Sequence, residues 1–369
     1  MTRKPEGALR RGWTTGACAT AAAKAAYTAL LTGEFPDPVT ITLPKGEQPA
    51  FALAREALSQ TWASAAIVKD AGDDPDVTHL ATVQARVSRG APGSGVVFKA
   101  GPGVGTVTKP GLPLPVGEPA INPVPRQMMR QVVAAVAARH GDAGDLEIEI
   151  SVDNGEALAR QTWNPRLGIL GGLSILGTTG VVVPFSCSAW IHSIHRGIDV
   201  ARAGGLSHAA ACTGSTSEAA VQRLYGLPES ALLDMGDFAG GLLKYLRRHP
   251  LPRLTIGGGF GKLCKLAAGH LDLHSGRSQV DFDLLAEILA GLGAAPALLE
   301  EARRANTAKQ VLDLAASAGL PLADAVAARA REAALGLLAN ESGVAETAIE
   351  VLIFDRAGNL AGKAAGWPP

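Results

Sequence analysis

Between Ala209 and Ile256 short apolar runs alternate with helical stretches, and this alternation limits the possible folds more than any other feature of the chain. Ala209–Cys212, Ala231–Asp234 and Arg253–Ile256 read as strands, with Ser217–Tyr225 and Asp237–Arg248 as the helices between them. Strands joined in this way lie parallel in one sheet, because each helix carries the chain back across a face of the sheet before the next strand begins. Leu284–Leu292, Ala297–Arg304, Ala308–Ala318 and Leu322–Leu338 read as further helices, followed by a strand at Ile349–Phe354 and a turn at Arg356–Asn359. Upstream the pattern differs. Thr15–Leu31 is a run of helix formers with Thr14, Thr15 and Gly16 as cap residues. Val39–Leu43, Ala65–Val68, Ala81–Val87 and Val96–Phe98 are short strands between Pro, Gly and Asp turns. Gln127–His140 is a second helix, and Leu146–Val152 alternates acidic with apolar residues as a half-exposed strand does.

The change of pattern falls between Gly155 and Gly171, dividing the chain into domains over residues 1–160 and 161–369. The expected fold is a mixed N-terminal α+β domain followed by a parallel-sheet, Rossmann-like α/β domain with a helical C-terminal part.

Charge and composition narrow the function. The 369 residues carry 34 Lys+Arg against 34 Asp+Glu, without the basic excess that phosphate neutralisation asks of a nucleic-acid binder. The balance is uneven along the chain: from Met1 to Arg139 there are 15 basic and 10 acidic residues, net +5, and the remainder is net −5. Cys18, Cys187, Cys212 and Cys264 are widely spaced and form no CxxC pair, so they read as reduced, buried thiols of a cytoplasmic protein. Leu167–Ile191 has no charged residue over 25 positions, but Gly168, Gly171, Gly172, Gly177, Gly180 and Pro184 break it into short pieces, which suits strands and a Gly-rich loop better than a membrane span.

Three Gly-rich loops follow apolar segments: Gly101–Gly105, Gly177-Thr178-Thr179-Gly180, and Gly257-Gly258-Gly259-Phe260-Gly261-Lys262. The third lacks the Gly and the Ser or Thr of a phosphate loop, having Ile256 and Leu263 there, and Lys262 stands where the dinucleotide fingerprint needs its last glycine. Each loop suits either a ligand cradle or a tight turn. Asp234, with Gly236 and Asp237 after it, ends a strand where a carboxylate can meet ribose hydroxyls; the alternative is an N-cap at Asp237 with Asp234 solvated. Asp70, Asp73, Asp74 and Asp76 crowd one turn, fit to hold a hard metal, to perturb one another's protonation, or to cap backbone N–H groups. The pairs His192/His195 and His270/His274 lack the HExxH pattern of a zinc site, and no GxSxG elbow occurs. Lys99, Lys109, Arg126 and Arg130 against Glu118, with Asn122 between, make a basic loop suited to carboxylates or simply to solvent.

Seven segments, in this order, give the chain a resemblance. They are Arg11–Ala19 (RGWTTGACA), Lys69–Thr78 (KDAGDDPDVT), Gly101–Thr108, Lys109–Leu112, Ala120–Arg126 (AINPVPR), Gly171–Gly180 and Gly261–Lys265 (GKLCK). Together they resemble the cobalt-precorrin-5B C(1)-methyltransferases of cobalamin biosynthesis over nearly the whole chain. Leu80 departs from the small residue expected after His79. The resemblance implies methyl transfer from S-adenosylmethionine to C1 of a cobalt corrinoid, giving cobalt-precorrin-6A, with cobalt entering only inside the substrate.

On that reading the donor is expected on the second domain at Gly177, Thr178, Thr179, Gly180, Asp234, Gly236, Gly257, Gly258 and Gly259. Lys69, Asp70, Asp73 and Asp74 are expected to face the cleft between the domains, the three aspartates as catalytic candidates. Lys69, Lys109, Asn122 and Arg126 are expected to bind the substrate, the last three by gripping its carboxylates. The partners implied are the corrinoid and a possible second copy of the chain, with no nucleic acid or membrane. A corrinoid carrier, or a small-molecule kinase using Thr14-Thr15-Gly16 for phosphate, are the competing readings.

Overall fold

A computed structural model describes residues 7–339, 345–365 and 367. The chain is a mixed α/β protein of two compact units, the first ending at Cys187 and the second starting at Ser188.

In the first unit, helix α1 (Thr15–Thr32) is buried on almost every side, which its alanines permit by presenting little bulk in any direction. It starts where the sequence analysis places it: Thr14 caps it by accepting from the Ala17 N–H at 3.2 Å, and Gly33 ends it in the left-handed region. Its sheet contains β1 (Arg55–Leu58), β2 (Trp62–Val68), β3 (Thr82–Arg89), β4 (Val96–Ala100) and β5 (Leu146–Val152), in the order β1-β2-β3-β5-β4. All neighbours are antiparallel except β5 and β4. Ala63, Ala65 and Ile67 of β2, Val83, Ala85 and Val87 of β3, and Leu146, Ile148 and Ile150 of β5 line one face, packed with α1 and α2 (Pro123–His140). Helix α2 starts before the expected Gln127, because proline is tolerated in a first turn whose N–H groups have no helical acceptor.

The expected boundary at 160/161 lies inside this unit. Ile169–Leu170 pairs with Thr106–Val107, Gly172–Leu173 with Gly103–Val104, and Val181–Val182 with Gly12–Trp13, so strand pairing ties the segment up to Val182 to the first unit. The charge contrast weakens with it: six carboxylates between Asp142 and Glu156 join this unit, which then carries 17 basic and 16 acidic residues.

The second unit opens with α3 (Cys187–Ala203), a helix that the charge-free stretch concealed. Its sheet contains β6 (His208–Cys212), β7 (Leu232–Asp234), β8 (Arg253–Gly259), β9 (Ala348–Phe354) and β10 (Leu360–Ala364), ordered β7-β6-β8-β9-β10. The first four are parallel and β10 is antiparallel. Both faces are covered. Ala209, Ala211, Leu254, Ile256, Ile349 and Val351 belong to the larger core, while Ala210, Cys212 and Leu352 pack with Ala220 and Val221 of α4 (Ser215–Tyr225) on the other face. Helices α5 (Ala239–Leu246) and α6 (Phe260–Ala267) follow β7 and β8 on the larger-core side. Among the described residues no helix is long and apolar enough to cross a membrane. Cys18, Cys212 and Cys264 are buried as expected, and burial raises all three thiols, Cys18 and Cys212 to about 12; Cys187 is exposed, contrary to expectation.

Candidate functional site

Gly12 and Trp13 organise the candidate residues of the first unit. The Trp13 N–H donates to the Asp70 carbonyl at 2.7 Å, and a Cβ on Gly12 would lie 2.0 Å from the Ala71 carbonyl carbon. On the other side a Cβ on Gly72 would lie 2.1 Å from the Arg10 carbonyl oxygen, so the chain near its start threads against the acidic turn with no room for side chains.

The carboxylates of that turn have partners within the chain. Asp70 pairs with the Arg10 guanidinium and accepts from the Gly72 N–H at 2.9 Å. The Arg10 hydrogen bond, followed by that of Gly72, lowers the Asp70 carboxyl to about 2, which makes it a weak proton acceptor at neutral pH. Asp73 accepts from the Arg10 backbone N–H at 2.6 Å and Asp74 from the Phe185 N–H at 2.7 Å. Lys69 is 1% exposed and donates to Asp76 at 2.7 Å. Burial pushes the Asp76 carboxyl up, but the Lys69 ammonium and Thr78 outweigh it, leaving a net lowering. Leu80, where the sequence departs from its family pattern, sits at φ 63° with its side chain in solvent.

Gly177, Thr178, Thr179 and Gly180 do not lie on the second unit, as the sequence analysis expects. They wrap the start of α1: Gly180 accepts from the Thr14 N–H at 3.0 Å, Leu176 accepts from the Gly16 N–H at 2.9 Å, and Gly177 has φ 125° with Thr14 against it. The same bonds occupy N–H groups that a phosphate at Thr14-Thr15-Gly16 would need, which removes the support for the kinase reading.

Of the basic loop, Arg126 is turned toward its own chain. Its guanidinium donates to the Ile121 carbonyl at 2.7 Å, the Pro119 carbonyl at 3.0 Å and Glu118 at 2.9 Å, and lies 5.3 Å from the Phe98 ring centre. Lys109 lays its aliphatic stem over Gly168. Asn122 heads α2 without a side-chain cap bond. Lys99 pairs with Glu147 at 2.6 Å, and Arg130 lies 5.2 Å from the Phe98 ring centre.

In the second unit Asp234, Gly236, Gly257, Gly258 and Gly259 do come together, at the carboxyl ends of β7 and β8 on either side of β6. Trp190 Nε1–H donates to the Asp234 carbonyl at 2.9 Å, and the Gly236 N–H to the Cys212 carbonyl at 3.1 Å. The glycines differ in cause. A Cβ on Gly257 or Gly258 would crowd Cys212 Sγ at 2.9 Å or Thr213 Oγ1 at 2.8 Å, so these two serve packing. Gly259 and Gly214 have extended backbones and nothing within 4 Å of a Cβ, yet they head helices α6 and α4, where a side chain that caps is the usual choice. Thr213–Ser217, with Gly214 as its second residue, is a candidate segment that sequence reasoning missed; its signal is a hydroxyl and glycine run between strand and helix. The histidine pairs are built differently from one another: His195 stacks on Tyr245 at 4.0 Å between ring centres, and His274 Nδ1 accepts from the Gly276 N–H at 3.1 Å.

The chain matches the CbiD family over residues 2–184 and the CbiD C-terminal domain over residues 272–365. It is 65% identical over 359 residues to the cobalt-precorrin-5B C(1)-methyltransferase of Paramagnetospirillum magneticum, covering 97% of this chain and 99% of that one. It is 61% identical over 352 residues to the enzyme of the same name from Brucella anthropi, covering 95% of each. The crystal structure of the cobalamin biosynthesis protein cbiD from Archaeoglobus fulgidus is 27% identical, covers 74% of this chain and 84% of its own, and superposes with a TM-score of 0.41. The chain therefore belongs to the CbiD family of cobalamin biosynthesis, whose curated relatives here are cobalt-precorrin-5B C(1)-methyltransferases.

Proposed function

We propose that this chain transfers a methyl group from S-adenosylmethionine to C1 of cobalt-precorrin-5B, with the donor held at the carboxyl ends of the parallel strands of the second unit. Methyl transfer is the activity of the family; the donor and its placement are our reading. Read as a Rossmann-like, doubly wound sheet, the order β7-β6-β8-β9 reverses direction between β6 and β8, and ligands of such sheets bind at that reversal. The observation that carries the reading is the pair Gly214 and Gly259. Neither needs to be glycine for backbone conformation or packing, and both stand at helix starts, where backbone N–H groups point away from the helix toward a ligand's position. On this reading Asp234 meets the ribose hydroxyls at the end of its strand, beside Gly236.

When bound, S-adenosylmethionine supplies an electrophilic methyl on a sulfonium, so the protein's task is chiefly alignment, an effect worth roughly 7–11 kcal/mol in well-oriented systems. In the first unit, Lys109 and Asn122 are the residues left to meet the acetate and propionate arms of the macrocycle. Arg126 shapes their loop, and the acidic turn is a scaffold.

Calorimetric titration with S-adenosylhomocysteine tests this. The unsubstituted chain should bind it and leave ATP unbound, while Gly214→Val and Gly259→Val should each weaken binding by tenfold or more at unchanged melting temperature. Unchanged affinity in both variants, or a complex whose contacts stop before residue 188, would remove the placement.

A further inference from the structure

Lys262, three residues after Gly259, faces a buried carboxylate, Asp237. Asp237 is 8% exposed, and the sequence suggests it as the cap of the helix that follows. It is not: α5 is headed by Phe238, with no side-chain cap bond. Among the described residues none hydrogen-bonds its buried Oδ1, although Lys262 Nζ stands 3.0 Å away as an ion pair. Buried carboxylates ordinarily accept several hydrogen bonds, because the lost hydration is otherwise uncompensated.

Lys262 reaches this point from the first turn of α6 and also donates to the Thr213 carbonyl at 2.9 Å, across the end of β6. Its side chain remains 38% exposed, against 11% for Asp237. The surroundings are held in place. Leu273 N–H donates to the Asp237 carbonyl at 2.8 Å, Gly240 N–H to the Leu271 carbonyl at 2.8 Å, and buried Lys265 donates to the Leu273 carbonyl at 3.0 Å. The strand ends thus present a fixed negative group and a fixed positive group 3.0 Å apart, at the start of the same uncapped helix that Gly259 heads.

We infer that Asp237 and Lys262 hold the α-amino acid end of the methyl donor, Asp237 accepting from its ammonium and Lys262 meeting its carboxylate. A zwitterion whose two charges are neighbours on one carbon is the ligand chemistry that an adjacent, opposite pair complements. The inference rests on the donor placement proposed above and adds the part of the donor that is recognised there.

Two ligands separate the possibilities: S-adenosylhomocysteine, which has the amino acid end, and 5′-methylthioadenosine, which lacks it. Asp237→Asn and Lys262→Gln should each weaken S-adenosylhomocysteine at least tenfold and leave 5′-methylthioadenosine within twofold of the unsubstituted chain. If both ligands weaken equally together with a lower melting temperature, or neither weakens, Asp237–Lys262 is a structural latch and the inference falls. Gly214→Val and Gly259→Val distinguish the two levels. If they weaken both ligands while Asp237→Asn and Lys262→Gln do not discriminate, the placement stands and this inference fails. Should the unsubstituted chain bind S-adenosylhomocysteine no better than 5′-methylthioadenosine, the inference fails without any variant.

Discussion

The acidic turn of the first unit and the strand ends of the second are both rich in the residues from which sites are built, and they use them in opposite ways. In the turn, Asp70, Asp73, Asp74 and Asp76 all accept from the chain itself, and Lys69 is sealed against Asp76. At the strand ends Gly214 and Gly259 stand open, and Asp237 Oδ1 is buried without a hydrogen bond. The difference teaches that crowding of charge is a poor guide to chemistry. Bonding capacity that the fold leaves unspent is the better guide, since a buried polar group without a partner is costly to keep unless something else supplies one.

The largest test of that contrast is Asp76→Asn. If the turn is scaffold, this change leaves the Lys69 ammonium buried without its counter-charge, and stability should fall by about 3–5 kcal/mol in a denaturant titration. A loss below about 1 kcal/mol would mean that water or another group already serves Lys69, and the turn would return as a candidate site.

Arg126→Ala sharpens the comparison from the basic loop. Losing three hydrogen bonds from a cation should cost about 2 kcal/mol or more and lower the melting temperature, with corrinoid and S-adenosylhomocysteine affinities changed alike. Selective loss of the corrinoid would restore Arg126 as a direct ligand, against the geometry described here.

The smallest effect is the acid limb of the Asp70 pair. Its folded carboxyl is lowered to about 2, so its stabilising contribution is complete above the unfolded value near 4 and is lost as pH falls from about 4 toward 2. Because Asp70 and Arg10 are both largely in solvent, Asp70→Asn should flatten that limb only slightly, and less at high salt. Comparing the two stability profiles between pH 2 and 5 checks it, and a large salt-independent change would contradict the exposed geometry.

Periodicity and turn chemistry are local, and what they govern was legible in the chain. Leu146–Val152 and Leu322–Leu338 have the expected bounds, and the parallel strands of the second unit follow from alternating apolar runs and helices. Asp234, Gly236 and Gly257–Gly259 could be placed at strand ends for the same reason. Helix α3 was hidden because glycines just upstream made its uncharged first turn read as more strand and loop.

What no local rule reaches is long-range pairing. Val181–Val182 joins Gly12–Trp13, which moves the Gly177–Gly180 loop from the second unit to the start of α1 and shifts the boundary to Cys187. Tertiary structure alone also decided which charges are spent, because Arg10 with Asp70 and Phe185 with Asp74 are separated by 60 and 111 residues in sequence. Residue type sets how many bonds a side chain can make, and only the folded neighbours determine how many of them are made.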